Sequence, residues 1–403
     1  MKLFEWGGSP RDRFARQVLR TVQATGRVAS AQYDAADFSI EYRLVGENDS
    51  GRIYLENTFR ESEQASVQER SMRIRRLVDA VVGATAGKDT WEQARPKLRP
   101  VLRAGTFGAG VVAGPTALVS RPALPFLIEA VVVDEPTSMA YVTRARLAGW
   151  GVTADEVFAT ARANLSALVH VTDEPPSEGP VVLRFVDDGD GYFTSWLLVD
   201  GFLAGMADRV GGRPVAFVPD RDNLLVIADQ PGLVAKIYEW VEELYRNAAR
   251  SVSPAGYTVN DRGAVVPFTA PPGSDLAAVV HRAEVLLAAT EYAAQKEALD
   301  AAHQRDDIDI FVGSVLVLDR PDTPTTSVAV WADDVDTLLP QADLVAFPPT
   351  GNLDGKPLTV PFAVVAREAS LVPEPDYAPL RYRVNRWPAE PVMARLGQHA
   401  VDL

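Results

Sequence analysis

One continuous stretch, from Val181 to Asp229, constrains the fold of this 403-residue chain more than any other. It reads VVLRFVDDGDGYFTSWLLVDGFLAGMADRVGGRPVAFVPDRDNLLVIAD, in which the patterns of a strand, an acidic turn, a helix over about 195–208 and an apolar hairpin follow one another. A helix over 231–249 and a strand over 256–260 complete the order βαββαβ. This order predicts two helices on one face of an antiparallel sheet, the ferredoxin-like arrangement.

The segments on either side predict further small units of the same kind. A helix from Arg11 to about Ala24, a hairpin and a helix from Ser62 to about Val82 indicate a first domain with its linker over 1–105. The central α+β domain then covers 106–272, and a long helix followed by strands and a Pro-rich tail covers 273–403. We therefore expect the α+β class, with several small antiparallel sheets and helices packed on one face of each.

Composition excludes several classes of protein. Apolar residues make up 47% and charged residues 23% of the chain, which is typical of a folded globular protein rather than a disordered one. No run of about 20 apolar residues predicts a membrane span, and the first residues lack the apolar core of a secretory signal, so we expect a cytoplasmic protein. With no cysteine, the chain has no disulfide, thiol nucleophile or thiolate metal site.

The net charge of −14 is distributed unevenly. Residues 1–105 contain 18 basic and 14 acidic side chains, whereas the remainder contains 22 basic and 40 acidic ones. A strongly acidic body argues against duplex nucleic acid as a partner and favours another protein. The candidate contact surface is a basic face on the second helix, with a merely solvated surface as the alternative. Its residues are Arg70, Arg73, Arg75 and Arg76.

The acidic turn is the candidate site for a cation or another ligand. Hard cations such as calcium and magnesium prefer clustered carboxylate oxygens, but the loop does not fit the EF-hand template, and a simple turn is the alternative. No other cofactor is predicted, because the histidines are scattered and no phosphate-binding loop is present. Asp220 and Asp222 are predicted to form the hairpin turn. The candidate loop consists of Asp187, Asp188, Asp190 and Tyr192.

Two parts of the chain resemble a known family. They are PFLIEAVVVDEPTSMAYVTRARLAGWGVTADEVFATARANLSAL, from Pro125 to Leu168, and the DDGDGYFTSWLL and RPVAFVPDRDNLLVIAD segments with the helix that follows. Over about residues 10–270 the chain is similar to the uncharacterised bacterial family called domain of unknown function 1444. The turn at 187–192 carries additional Asp and Gly residues, and the last hundred residues extend beyond shorter members. The resemblance implies a fold and no activity.

These observations lead to three functional hypotheses. The first is a non-enzymatic cytoplasmic protein that binds another protein or acts as a scaffold, because no catalytic constellation is recognisable and charge is segregated. The second is a metal-dependent hydrolase or phosphoester enzyme that uses Asp187, Asp188 and Asp190. The third is a structural subunit of a larger assembly. The sequence leaves the oligomeric state and the question of enzymatic activity open.

Overall fold

A computed structural model describes residues 9–35, 38–45, 50–63, 65–82, 89–108, 117–135, 138–169, 181–186, 192–320, 323–349, 355–375 and 377–402. The protein belongs to the α+β class with several small sheets, as predicted. The chain divides into two compact units, and each of them is discontinuous in sequence. Unit 1 comprises Met1–Pro100 and Ala130–Leu168, and unit 2 comprises Val101–Glu129 and Val169–Leu403. These boundaries differ from the predicted ones at 105 and 272.

The first 169 residues supply the elements of unit 1 and part of unit 2. In chain order they are α1 Pro10–Ala24, β1 Val28–Asp34, β2 Ser39–Leu44, β3 Ser50–Tyr54, α2 Glu56–Ser62, α3 Val67–Val82, α4 Trp91–Ala94, β4 Leu98–Ala104, β5 Ser120–Leu124, β6 Leu127–Glu135, β7 Ser138–Tyr141, α5 Arg144–Trp150 and α6 Ala154–Ser166. Strands β4, β6 and β5 lie side by side in that order, with β7 paired to β6. The boundary between the units crosses β4 and β6, so this sheet belongs wholly to neither.

The core of unit 1 lies between its first helices and an antiparallel meander of order β1-β2-β3. Helix α1 begins with a capping box, in which Ser9 and Asp12 each satisfy an amide of the other. Phe14, Val18 and Val22 recur at four-residue spacing and are buried, whereas the opposite face of α1 is polar. The core side chains are Phe14, Ala15, Val18, Val22, Phe38, Ile40, Ile53, Leu55, Ile74 and Val78.

The predicted helix from Ser62 to about Val82 corresponds to α3, which starts five residues later than predicted, and Ser62 is instead the last residue of a separate helix, α2. α2 ends at Ser62 and α3 begins at Val67. Two arginines of α3 reach back to carbonyls at the end of α2: Arg70 donates to the Ser62 carbonyl at 3.0 Å and Arg73 to that of Glu61. These hydrogen bonds stabilise the end of α2, because the carbonyls in the last turn of a helix have no amide partners within the helix.

The middle of unit 2 is built on a five-stranded sheet. Its elements are β8 Val182–Val186, α7 Ala207–Val210, β9 Pro214–Asp220, β10 Asn223–Ala228, α8 Pro231–Asn247, β11 Gly256–Val259 and β12 Val265–Pro267. The strand order is β12-β11-β9-β10-β8, and the pairs are antiparallel. The predicted element order βαββαβ is therefore present.

The ferredoxin-like strand order is wrong for this sheet. The four strands of the predicted motif are β8, β9, β10 and β11. In the ferredoxin-like order the fourth strand lies beside the first, whereas here the fourth strand, β11, lies beside the second, β9. The chain after α8 is held against β9, because Val252 and Ser253 donate to the carbonyls of Pro219 and Val218 at 2.9 Å each. This contact places β11 on the β9 edge and leaves β8 at the other edge of the sheet.

Helical segments cover both faces of this sheet rather than one. α8 packs on the face that carries Val215, Phe217 and Leu225. On the other face, the rings of Trp196 and Phe202 contact Phe185 of β8 at 5.4 and 6.1 Å. The continuous apolar runs in β9 and β10 require this arrangement, since a strand exposed on one face would alternate in polarity.

The predicted helix over 195–208 is replaced by 3-10 turns at Phe193–Leu198 and Ala204–Met206 and by the short α7. Gly201 adopts a φ of +80°, which a regular helix does not accommodate. Five of the six residues in the first turn are buried, so packing rather than helical periodicity determines its conformation.

The C-terminal part of unit 2 adds a long helix and two mixed sheets. Its elements are α9 Asp275–Asp306, β13 Phe311–Val312, β14 Val315–Leu318, β15 Thr326–Val330, β16 Thr337–Pro340, β17 Leu344–Phe347, β18 Leu358–Pro361, α10 Phe362–Glu368, β19 Pro373–Glu374, β20 Arg381–Val384 and α11 Glu390–Gly397. The sheets have the orders β13-β16-β20-β19 and β14-β15-β17-β18. Each contains one parallel pair, β13 with β16 and β15 with β17. Within the described residues, no helix has the length and apolarity needed to cross a bilayer.

Candidate binding groove

The predicted acidic loop lies largely outside the described residues. This applies to Asp187, Asp188 and Asp190, so the cation site and the hydrolase hypothesis built on them stay predictions. The structure places the two ends of the loop: Val186 pairs with Asn223, and Tyr192 is only 3% exposed. Tyr192 is thus part of the core, which leaves its ring little surface for a ligand.

The hairpin beside this loop is closed by side chains. Asp220 accepts the Asp222 amide at 2.7 Å and the Asn223 side-chain amide at 2.9 Å, as predicted for a turn-forming aspartate. Burial raises the pKa of Asp220, although the bonds from Asn223 and Asp222 oppose the rise. Arg184 donates to the side-chain Oδ1 of Asn223 at 2.7 and 3.0 Å, which connects β8 to the turn. These groups are engaged with one another and stabilise the turn.

A second polar cluster connects α9 to the C-terminal sheets. His281 Nε2 lies 3.2 Å from Asp343 Oδ2, and its Nδ1 lies 4.0 Å from Glu284. Ser327 donates from both its amide and its hydroxyl to the same Asp343 oxygen at 2.7 Å. A catalytic triad requires the serine hydroxyl to bond the histidine, whereas here it bonds the carboxylate. The arrangement therefore holds segments together. Within the described ranges, no group of three metal-binding side chains is positioned to hold an ion.

Arg381 of β20 is a fully buried charged residue of unit 2. Its side chain is 0% exposed, and it donates to Gln295 Oε1 at 2.6 Å and to the carbonyls of Gly313 and Leu338 at 2.8 Å each. A weaker bond reaches the Tyr292 carbonyl at 3.3 Å. Burial lowers the pKa of Arg381 to about 10, so it remains charged at neutral pH. Its contacts link α9, β16 and the segment after β13, which is a structural role.

The predicted basic face on α3 divides into two parts. Arg70 and Arg73 are partly buried and donate to the carbonyls that end α2, whereas Arg75 and Arg76 are exposed. Arg70, Arg73 and Arg76 follow one another at three-residue spacing along one side of α3, whereas Arg75 lies on a different side. Because Arg70 and Arg73 are engaged with the end of α2, the four arginines do not form one exposed basic face.

Arg70 instead belongs to a groove between α1 and the α2–α3 corner, which we call the arginine groove. Its cavity volume is about 720 Å³, within the range of natural ligand sites. The described lining includes four guanidiniums and one carboxylate, that of Glu63. The residues that define the groove here are Arg13, Arg16, Arg20, Phe59, Ser62 and Arg70.

The α1 wall of the groove is a row of arginines. Arg13, Arg16 and Arg20 lie three and four residues apart on the side of α1 opposite its buried residues, and all three are exposed. Arg16 and Arg20 form no hydrogen bond or ion pair with any residue that the structure describes. Their charge is therefore available to a ligand. The sequence carried this signal in RDRFARQVLR, as basic residues at helical spacing, and the prediction of a basic face on α3 missed it.

The opposite wall contains the ring of Phe59 and two polar atoms that lack partners in the described part of the chain. Phe59 contacts the buried Phe14 edge to face at 5.4 Å, which fixes the position of its ring. Ser62 is 1% exposed, and neither its Oγ nor Arg70 Nε has a hydrogen-bond partner in the described part of the chain. Buried polar groups are normally paired, so two unpaired ones at one end of a groove are unusual.

Comparisons with known proteins give no relatives. A scan against models of protein families, a search of curated proteins and a search of solved structures each found no match to the chain. The resemblance to domain of unknown function 1444 stays a prediction that rests on the residues quoted for it.

Proposed function

We propose that this chain is a non-enzymatic binding protein that docks an acidic segment of another protein in the arginine groove. The observation that carries the proposal is the row Arg13, Arg16 and Arg20 in a groove whose lining also includes Phe59. Exposed arginines beside apolar surface are typical of protein interfaces, where Arg and aromatic residues are enriched.

Charge supports a protein partner over nucleic acid. The chain beyond residue 105 has 40 acidic against 22 basic side chains, and the net charge of −14 for the whole chain disfavours a long phosphate backbone as the ligand. A short acidic segment presents its charge only locally. Its attraction to the arginines would accelerate association and fix its register.

The test is fluorescence anisotropy with the full chain and a labelled peptide that contains glutamates and leucines. The variant Arg16→Gln/Arg20→Gln removes two charges from the groove. Arg75→Gln/Arg76→Gln is the matched control, since it removes two exposed charges elsewhere in unit 1. We expect the groove variant to bind about tenfold more weakly, because each exposed pair contributes up to about 1 kcal/mol. The control should remain within about twofold.

Two results would contradict the proposal. One is equal loss of affinity in the groove variant and the control, which would indicate attraction to net charge alone. The other is tighter binding of a single-stranded oligonucleotide than of the acidic peptide at the same salt concentration, which would make nucleic acid the partner.

A further inference from the structure

We infer that the acidic segment binds as an amphipathic α-helix whose carboxylates repeat at three- and four-residue spacing. This inference rests on the proposed function and specifies the conformation and sequence pattern of the partner. Two features of the groove support a helical partner, namely the spacing of the arginines and the partly buried apolar side chains near them.

The spacing along α1 matches a helix better than an extended chain. With a rise of about 1.5 Å per residue, Arg13 and Arg20 are about 10.5 Å apart along the axis, with Arg16 between them. A partner helix with acids at positions i, i+3 and i+7 presents three carboxylates over the same length. In an extended strand, three acids on one face span about 13 Å, so the third falls roughly 3 Å out of register.

The apolar lining of the groove favours the same partner. Phe59 and Leu19 are partly buried apolar members of the groove lining, and they leave apolar surface in the groove beside the arginines. A helix with a stripe of apolar side chains next to its acidic stripe can contact both surfaces at once. Helix-in-groove recognition of this kind uses anchors at i, i+3, i+4 and i+7.

The experiment compares three peptides of equal length and charge on the full chain. The first peptide carries glutamates at i, i+3 and i+7 beside a leucine stripe. The second peptide has the same composition, but its glutamates occupy every second position. The third peptide has the sequence of the first except for a proline at its centre. Anisotropy gives the affinities, and the circular dichroism difference spectrum at 222 nm reports helix formation on binding. We expect the first peptide to bind at least tenfold more tightly than the others, with a gain in helical signal that Arg16→Gln/Arg20→Gln reduces.

The outcomes separate the two proposals. If the three peptides bind equally well and without helical signal, the helix inference is wrong while the proposed function stands. If none of them binds, the proposed function itself is wrong.

Discussion

His281 links α9 to the residue preceding β17, and this contact makes a sharp prediction about pH. Its Nε2 lies 3.2 Å from Asp343, and Glu284 lies on its other side at 4.0 Å. The hydrogen bond to Asp343 raises the pKa of His281 above its ordinary value, although partial burial opposes the rise. Burial tends to raise the pKa of Asp343, but the bonds from His281 and Ser327 hold it below its ordinary value. The pair is therefore charged over a wider pH range in the folded protein than in the unfolded chain.

The size of the effect follows from the exposure of the pair. Two unit charges at this separation attract by about 1 kcal/mol in a water-like dielectric. The side chains are 40% and 31% exposed, so screening leaves a contribution of about 0.5–1 kcal/mol. Because the folded pKa of His281 is raised, this stability is fully present below the unfolded value of 6.5 and is lost as pH rises through the folded value.

The assay is urea denaturation of the wild type and His281→Gln between pH 5.5 and 8.5. We expect the variant to be less stable by about 0.5–1 kcal/mol at pH 5.5, with the difference shrinking towards zero at pH 8.5. His399→Gln is the control, since it removes an exposed histidine that does not belong to this cluster. A difference that is constant or grows with pH would refute the reasoning.

Two further substitutions test the packing of unit 2. Arg381→Ala should lower the free energy of unfolding by about 3–5 kcal/mol, because four buried acceptors lose their donor. Arg383 is exposed, and Arg383→Ala should lower the free energy of unfolding by less than about 1 kcal/mol. Chemical denaturation measures both, and equal effects would contradict a structural role for the buried guanidinium. Gly256→Ala should destabilise by about 2 kcal/mol or more, because the new methyl group would lie 2.6 Å from the Tyr238 hydroxyl. Gly232→Ala, which meets nothing within 4 Å, should not destabilise, and a similar loss in both variants would disprove the steric explanation.

Local patterns predicted individual elements well. The capping box of Thr153 and Glu156 is present at the start of α6, with the Glu156 amide 3.2 Å from the threonine hydroxyl. The Ala-rich helix predicted from Ser274 is α9, and its first turn is capped by that serine. Such features depend on neighbours within four residues, so they can be identified without tertiary contacts.

Long-range features were not predictable in the same way. The edge of the sheet at which β11 pairs depends on the contacts that Val252 and Ser253 make with β9. No local sequence pattern encodes this choice. The arginine groove joins side chains from α1 with Ser62 and Arg70, which lie some forty residues further along the chain. A helical periodicity can show that Arg16 and Arg20 share a face, but it cannot show which surface lies opposite them.

The interleaved course of the chain constrains how the molecule can be made. Unit 1 needs both Met1–Pro100 and Ala130–Leu168, and the segment between them belongs to unit 2. A ribosome therefore releases most of unit 1 before its last elements have been translated, and no single cut liberates either unit intact. An isolated first unit would have to be produced by excising residues 101–129 and rejoining the ends with a short linker.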